Sequence, residues 1–206
     1  MKIKKLVVYI HGKGGNACEA EHYRPFFKDC EVIGFDYKSQ IPWEAKKEFN
    51  EFFDLHSADY GSVYVIANSI GAFFTMNADI NEKIEKAFFI SPVVDMKRLI
   101  LNMMAAAGVT EEELSKSGEI TTDFGETLSW KYLCYVRENP VKWNVPTCIL
   151  YGEKDNLTSI DTITEFADKT KSSLTVMKNG EHWFHTDEQM RFLDNWLKTS
   201  FAKEKM

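Results

Sequence analysis

Apolar and polar positions follow two rhythms along the chain. Six short runs are nearly all apolar at their centres: Lys5–Ile10, Glu31–Phe35, Ser62–Ala67, Ala87–Ile90, Thr147–Tyr151 and Ser173–Met177. Rich in β-branched and aromatic residues, they read as strands covered on both faces. Segments with helical spacing lie between them. Pro42–Ser57 puts Pro42 in a first turn and sets Ala45, Phe49, Phe52, Phe53 and His56 on one face. Another helix starts near Thr158, with Ile160, Ile163, Phe166 and Ala167 facing a sheet. The last starts at Thr186, where Gln189 completes a Thr-x-x-Gln capping box and Met190, Leu193, Trp196 and Leu197 form the apolar stripe. Strands alternating with helices predict an α/β fold: a mostly parallel sheet of about six strands, with right-handed crossovers.

One stretch breaks the rhythm. Between Pro92 and Pro146 the pattern shows no strand, and helical spacing fills it at Met96–Ala107, Glu111–Lys116 and Leu128–Glu138. The expected division is therefore a core from 1–94 and 141–206 with a helical insertion over 95–140. A long excursion from a compact domain tends to be functional, so the insertion is read as a cap or lid rather than an ordinary helical layer.

Composition narrows the class. The chain has 206 residues, with 25 basic and 31 acidic side chains giving a formal charge of −6. Nucleic-acid binding calls for a basic patch and a high isoelectric point, so the acidic balance argues against that class. Cys18, Cys30, Cys134 and Cys148 form no CxxC pair, which excludes the usual zinc and thioredoxin spacings. In a chain with a large core they are expected reduced and buried, as in the cytoplasm. The opening MKIKKLVVYI has too short an apolar stretch before His11 for a secretory signal. Leu99–Val109 falls far short of the roughly 20 apolar residues of a bilayer span. The expectation is a soluble, cytoplasmic protein without a membrane span.

Three sites follow predicted strands, where open α/β sheets place ligands. The first is His11-Gly12-Lys13-Gly14-Gly15-Asn16. Gly12-x-Gly14-x-x-Ala17, with Asp36 at the end of the next strand, fits a relaxed dinucleotide fingerprint. The same loop also fits a segment that offers a backbone N–H to an oxyanion. Lys13 is followed by Gly rather than Ser or Thr, so it is not a Walker A loop. The second site is Ala67-Asn68-Ser69-Ile70-Gly71, small-x-Ser-x-small, a turn so sharp that the residues flanking the serine at two removes must be small. A serine helix cap is the plainer reading of that pentapeptide. The third pairs Gly152-Glu153-Lys154-Asp155 with Gly180-Glu181-His182-Trp183-Phe184. A serine hydroxyl is a poor nucleophile at neutral pH and needs an imidazole base, itself oriented by a carboxylate. Ser69, Asp155 and His182 supply these groups, in that order, after successive strands.

On these motifs (His11-Gly12-Lys13-Gly14-Gly15, Ala67-x-Ser69-x-Gly71, Gly152-x-x-Asp155 and Gly180-x-His182) the chain resembles a compact member of the α/β-hydrolase superfamily over nearly its whole length. The usual pattern has Gly where Ala67 stands, and no hairpin precedes Lys5–Ile10. The resemblance implies Ser69 as nucleophile, His182 as base and Asp155 as acid. It also implies an oxyanion hole from the backbone N–H groups of Lys13 and Ile70, a cap before Pro146, and no cofactor or metal.

Rivals exist for each role. His185 competes with His182 but falls at the start of the last helix, and Asp95 competes with Asp155. His11 is expected to shape the oxyanion loop, His22 to lie on a helix surface and His56 to be structural. Phe73, Met103, Trp130 and Trp183 are candidates to line an apolar substrate pocket, and Phe73 is equally a core residue. The expected function is a serine hydrolase cleaving a small carboxylic ester or thioester. The alternatives are a nucleotide-binding protein built on Gly12, Gly14, Ala17 and Asp36, and a hydrolase-like scaffold that binds without turnover.

Overall fold

The computed structural model describes residues 4–202. In chain order the elements are β1 (Lys5–Ile10), α1 (Ala20–Tyr23), β2 (Glu31–Phe35), α2 (Pro42–Ser57), β3 (Ser62–Asn68), α3 (Ile70–Asn77), β4 (Lys86–Ile90) and α4 (Met96–Ala107). They continue with α5 (Glu111–Ser117), β5 (Glu119–Thr121), β6 (Thr127–Ser129), α6 (Trp130–Glu138), β7 (Thr147–Gly152), α7 (Ile160–Thr170), β8 (Ser173–Met177) and α8 (Asp187–Ala202). The chain divides into two compact units, Met1–Val94 with Trp143–Met206, and Asp95–Lys142.

The first unit is built on a six-stranded sheet in the order β2-β1-β3-β4-β7-β8. Every pairing in it is parallel. The runs read as strands are the strands, within a residue at their ends. Register sets the two faces. Tyr9 stands opposite Ile66, and Ile66 opposite Phe88. Together with Val7, Tyr64 and Leu150 they bury one face against Tyr23, Phe27, Leu193, Trp196 and Leu197. The other face carries Val8, Val65, Ala87 and Ile149, all fully buried. On α2, Phe49 packs edge-on to Phe35 at 4.8 Å and to Phe74 of α3 at 6.3 Å. A residue buried between two layers cannot be polar on either side, hence the unbroken apolar runs.

The chain reverses its direction of travel across the sheet between β1 and β3: β2 lies on one side of β1 and β3 on the other. In open α/β sheets the carboxyl ends at such a switch point leave a crevice. The loop after β1 and the turn after β3 are His11–Asn16 and Ser69.

The second unit, by itself, holds α4, α5, α6 and a two-stranded antiparallel sheet of β5 and β6. The sequence pattern predicts no strand here, so the hairpin is a correction. Its strands have three residues each, too short for a period to show. Its turn is closed by Thr122, whose Oγ1 donates to Glu126 O at 2.8 Å and accepts from Glu126 N at 3.1 Å. Helix α6 accordingly starts at Trp130 rather than Leu128, after Ser129. Three further expectations are corrected. Only Cys148 of the four cysteines is buried, and Cys18, in the short turn after the β1 loop, is exposed. Ile160 is the first residue of α7 and is exposed, because Ser159, not Thr158, caps that helix. His56 is exposed at the end of α2 and lies against Phe52 at 4.4 Å. No helix among the described residues is long and apolar enough to cross a membrane.

The buried aromatic layer carries the first test. Phe88→Ala should cost roughly 3–5 kcal/mol. In a chain of this size that lowers Tm by roughly 6–20 °C. Calorimetric melting measures it, and a shift under about 2 °C would show that Phe88 does not pack as described.

Candidate active site

Ser69 stands between β3 and α3 with φ 49° and ψ −119°. A non-glycine residue in this region is strained by about 1–3 kcal/mol and persists only where its surroundings enforce it. Two backbone hydrogen bonds do so: Ser69 N donates to Ile90 O at 3.0 Å, and Val93 N donates to Ser69 O at 3.1 Å. Two residues on, a Cβ at Gly71 would lie 2.4 Å from His11 O, so only glycine lets α3 approach the β1 loop. Ala67 on the other side is fully buried and small enough.

His182 comes from the loop after β8. Its Nε2 lies 2.9 Å from Ser69 Oγ, 113 residues away in sequence. Its Nδ1 lies 2.6 Å from Asp155 Oδ2. A carboxylate only accepts, so Nδ1 carries the proton and Nε2 is free to accept from the serine hydroxyl. Asp155 follows β7. Its Oδ1 accepts from Leu157 N at 2.8 Å and Thr158 N at 3.1 Å. The Asp155 side chain is 0% exposed and that of His182 17%. A buried carboxylate survives when hydrogen bonds replace its water, and here three do. Beneath it, burial and the nearby Asp155 charge push the Tyr151 hydroxyl up to about 12, so it stays protonated, donating to Thr158 O at 2.8 Å.

The rival residues go elsewhere. Asp95 caps α4, accepting from Arg98 N at 2.9 Å. His185 Nδ1 donates to Trp183 O at 2.8 Å, and its ring stacks on Trp183. His11 is buried and stacks on Tyr37 at 4.3 Å, with Nδ1 donating to Gly12 O at 2.9 Å. His22 lies exposed on α1, as expected, and its Nε2 donates to Asp194 Oδ1 at 2.8 Å.

The His11–Asn16 loop does not continue into a long helix. Asn16 caps a 3₁₀ turn, Ala17–Glu19, and α1 has only four residues. Asp36 is exposed and pairs with Lys38 at 2.7 Å, which holds its carboxyl below the ordinary range. A pyrophosphate needs the N-terminus of a substantial helix, so these residues do not favour the dinucleotide reading.

A cleft of about 770 Å³ opens at Ser69 and His182. Lys13, Tyr23, Ile90, Leu157, Trp183 and Phe184 are among its lining residues. Trp183 stands at it 74% exposed. Phe73 does not line it and is core of α3, a correction to its candidacy as a pocket residue. Met103 and Trp130 are half-buried residues of the helical unit. Sequence reasoning missed Leu157 and Phe184 because each sits in a loop, where no periodicity marks a facing side. Ile70 is the first residue of α3, so its N–H has no partner within the helix.

No protein-family model and no curated protein matches this sequence. Solved structures do match it. Est1E from Butyrivibrio proteoclasticus aligns with a TM-score of 0.77 at 16% identity, over 98% of this chain and 89% of that one. One structure of Est1E has ferulic acid bound. Alpha/beta hydrolase domain-containing protein 10 from mouse gives a TM-score of 0.76 at 18% identity, over 98% of this chain and 92% of that one. This chain has the α/β-hydrolase fold.

The loops carrying Asp155 and His182 touch where a Cβ on Gly152 would meet Glu181 O at 2.4 Å. Gly152→Ala should therefore push the two loops apart. The expected outcome is a Ser69–His182 contact lengthened beyond hydrogen-bond reach in a crystal structure of the variant; an undisturbed 2.9 Å contact would show that the loops yield freely.

Proposed function

We propose that this chain is a serine hydrolase that cleaves small carboxylic esters or thioesters through an acyl-enzyme. The observation that supports this best is the chain of hydrogen bonds from Ser69 Oγ to His182 to a buried Asp155, beside the cleft. Ser69 Oγ attacks the substrate carbonyl carbon while its proton passes to His182 Nε2. Asp155 holds the imidazole in the required tautomer and stabilises the imidazolium. The oxyanion is received by the backbone N–H groups of Ile70 and Lys13, each such donor lowering the barrier by roughly 3–4 kcal/mol. Collapse expels the alcohol or thiol, which takes the proton from His182. Water then attacks the acyl-Ser69, with His182 again as base, releasing the acid. No step requires a cofactor.

The fold shared with alpha/beta hydrolase domain-containing protein 10 supports the reaction class. The apolar walls of the cleft suit an apolar or aryl acyl group, in keeping with the ferulic acid held by Est1E. Four cysteines, none in a disulfide, suit a reducing compartment such as the cytoplasm.

Hydrolysis of p-nitrophenyl acetate and labelling by a fluorophosphonate probe test the reading. Wild-type protein should do both. Ser69→Ala should lower kcat by about 10⁶-fold and abolish labelling, and Asp155→Asn should lower kcat by about 10⁴-fold. Undiminished turnover in well-purified Ser69→Ala protein would end the assignment.

A further inference from the structure

The residue preceding the elbow serine belongs to a second polar chain that the catalytic roles above do not use. Asn68 Nδ2 donates to Tyr9 Oη at 2.8 Å. The Tyr9 hydroxyl in turn donates to Glu19 Oε2. Glu19 Oε1 accepts from Asn16 N at 3.2 Å. Asn16 closes the loop that begins at His11 and holds Lys13. The three side chains thus connect the end of β3, the middle of the buried sheet face and the loop after β1. All three line the cleft.

Each link is constrained. Tyr9 is 0% exposed, and a buried hydroxyl without partners carries a penalty. Burial first, then the neighbouring Tyr23 and the Glu19 carboxylate, hold it protonated far above the ordinary phenol range, so it remains a donor. Tyr23 stacks on it at 5.0 Å and fixes the ring, and the Tyr23 hydroxyl lies beside the same Asn68 amide. Asn68 Oδ1 is buried and takes no hydrogen bond among the described residues. The amide of Asn68 is therefore held through its nitrogen, on the Tyr9 phenol oxygen. With Ser69 strained at φ 49°, the preceding residue has little freedom to relax without moving the serine.

Resting on the serine-hydrolase reading, we propose that Glu19, Tyr9 and Asn68 form a positioning strut that fixes the elbow serine relative to the loop supplying the Lys13 N–H. None of the three touches the reacting atoms. They act by keeping the nucleophile and the oxyanion donor in one geometry, where a displacement of about 1 Å can cost up to about 10²-fold in rate.

The test uses Tyr9→Phe, Glu19→Ala, Glu19→Gln and the double variant Tyr9→Phe/Glu19→Ala in the full chain, with p-nitrophenyl acetate. Tyr9→Phe and Glu19→Ala should each lower kcat about 10-fold and leave KM within about 2-fold, since the strut serves the transition state rather than substrate binding. Glu19→Gln keeps an acceptor oxygen and should recover kcat to within about 3-fold of wild type. The double variant should lose no more than the worse single, because both break one chain. Losses that multiply to about 100-fold, a loss confined to KM, or a lowered Tm with unchanged kcat would overturn the strut. Amide hydrogen exchange over residues 12–16 and 68–70 gives a readout independent of turnover. It should quicken in Tyr9→Phe relative to the rest of the sheet unit, and unchanged exchange there overturns the proposal as well. Wild-type protein that neither hydrolyses the ester nor takes the probe would instead remove the serine-hydrolase reading, and exchange would still decide whether the strut exists.

Discussion

The arrangement at the carboxyl edge of the sheet depends on one strained residue. Ser69 has a backbone conformation that costs about 1–3 kcal/mol in isolation. What holds it is the neighbouring strand and the segment just after it: Ile90 O and Val93 N grip its main chain on both sides. Those groups are in place because β3 and β4 pair in parallel register, and that register is locked by apolar side chains packed on both faces. The strain is therefore carried by the whole core. The serine hydroxyl lies within reach of the imidazole, and the helix that begins at Ile70 leaves its first N–H groups without partners inside the helix.

The second constraint is electrostatic. The Asp155 side chain lies out of contact with water, where a polar group without hydrogen-bond partners is costly. Two backbone N–H groups and the His182 ring replace its hydration. This fixes the loop after β7, and with it the tautomer of the imidazole. The close approach of Gly152 to the main chain at Glu181 ties the loops of the two strands together. The result is an imidazole held in one orientation by groups of the protein itself.

A third layer lies below these groups. The sequence Asn16-x-x-Glu19 is a capping box, with Cys18 N donating to Asn16 Oδ1 at 2.9 Å and Asn16 N to Glu19. Its carboxylate has a second oxygen, and Tyr9 takes it. A local helix cap thereby becomes part of a longer connection to the elbow. The Tyr9 hydroxyl, buried in the sheet, both donates and accepts, so the connection runs from the exposed Glu19 carboxylate to the end of β3.

Periodicity made the strands and the longer helices legible, because a residue pressed between two layers must be apolar wherever it falls. Strand ends and the Ser69 turn could be read because each is a local feature of chain and spacing, and the order of serine, acid and histidine because each follows a legible strand. The β5–β6 hairpin could not, since strands of three residues carry no period. Nor could the fate of Phe73, which a helix pattern places on a face without saying whether that face meets core or cleft. The link from Tyr9 to Glu19 and Asn68 was hidden inside an apolar run, where a tyrosine counts as one more ring. Sequence alone, then, determined which segments are extended, which are helical, and which residue types follow each strand, because these depend on neighbours a few positions away. Only the tertiary structure decided that Asp155 rather than Asp95 faces the imidazole, that His185 turns to Trp183, and that a phenol joins two loops, because side chains far apart in the chain meet only through the packing of the sheet.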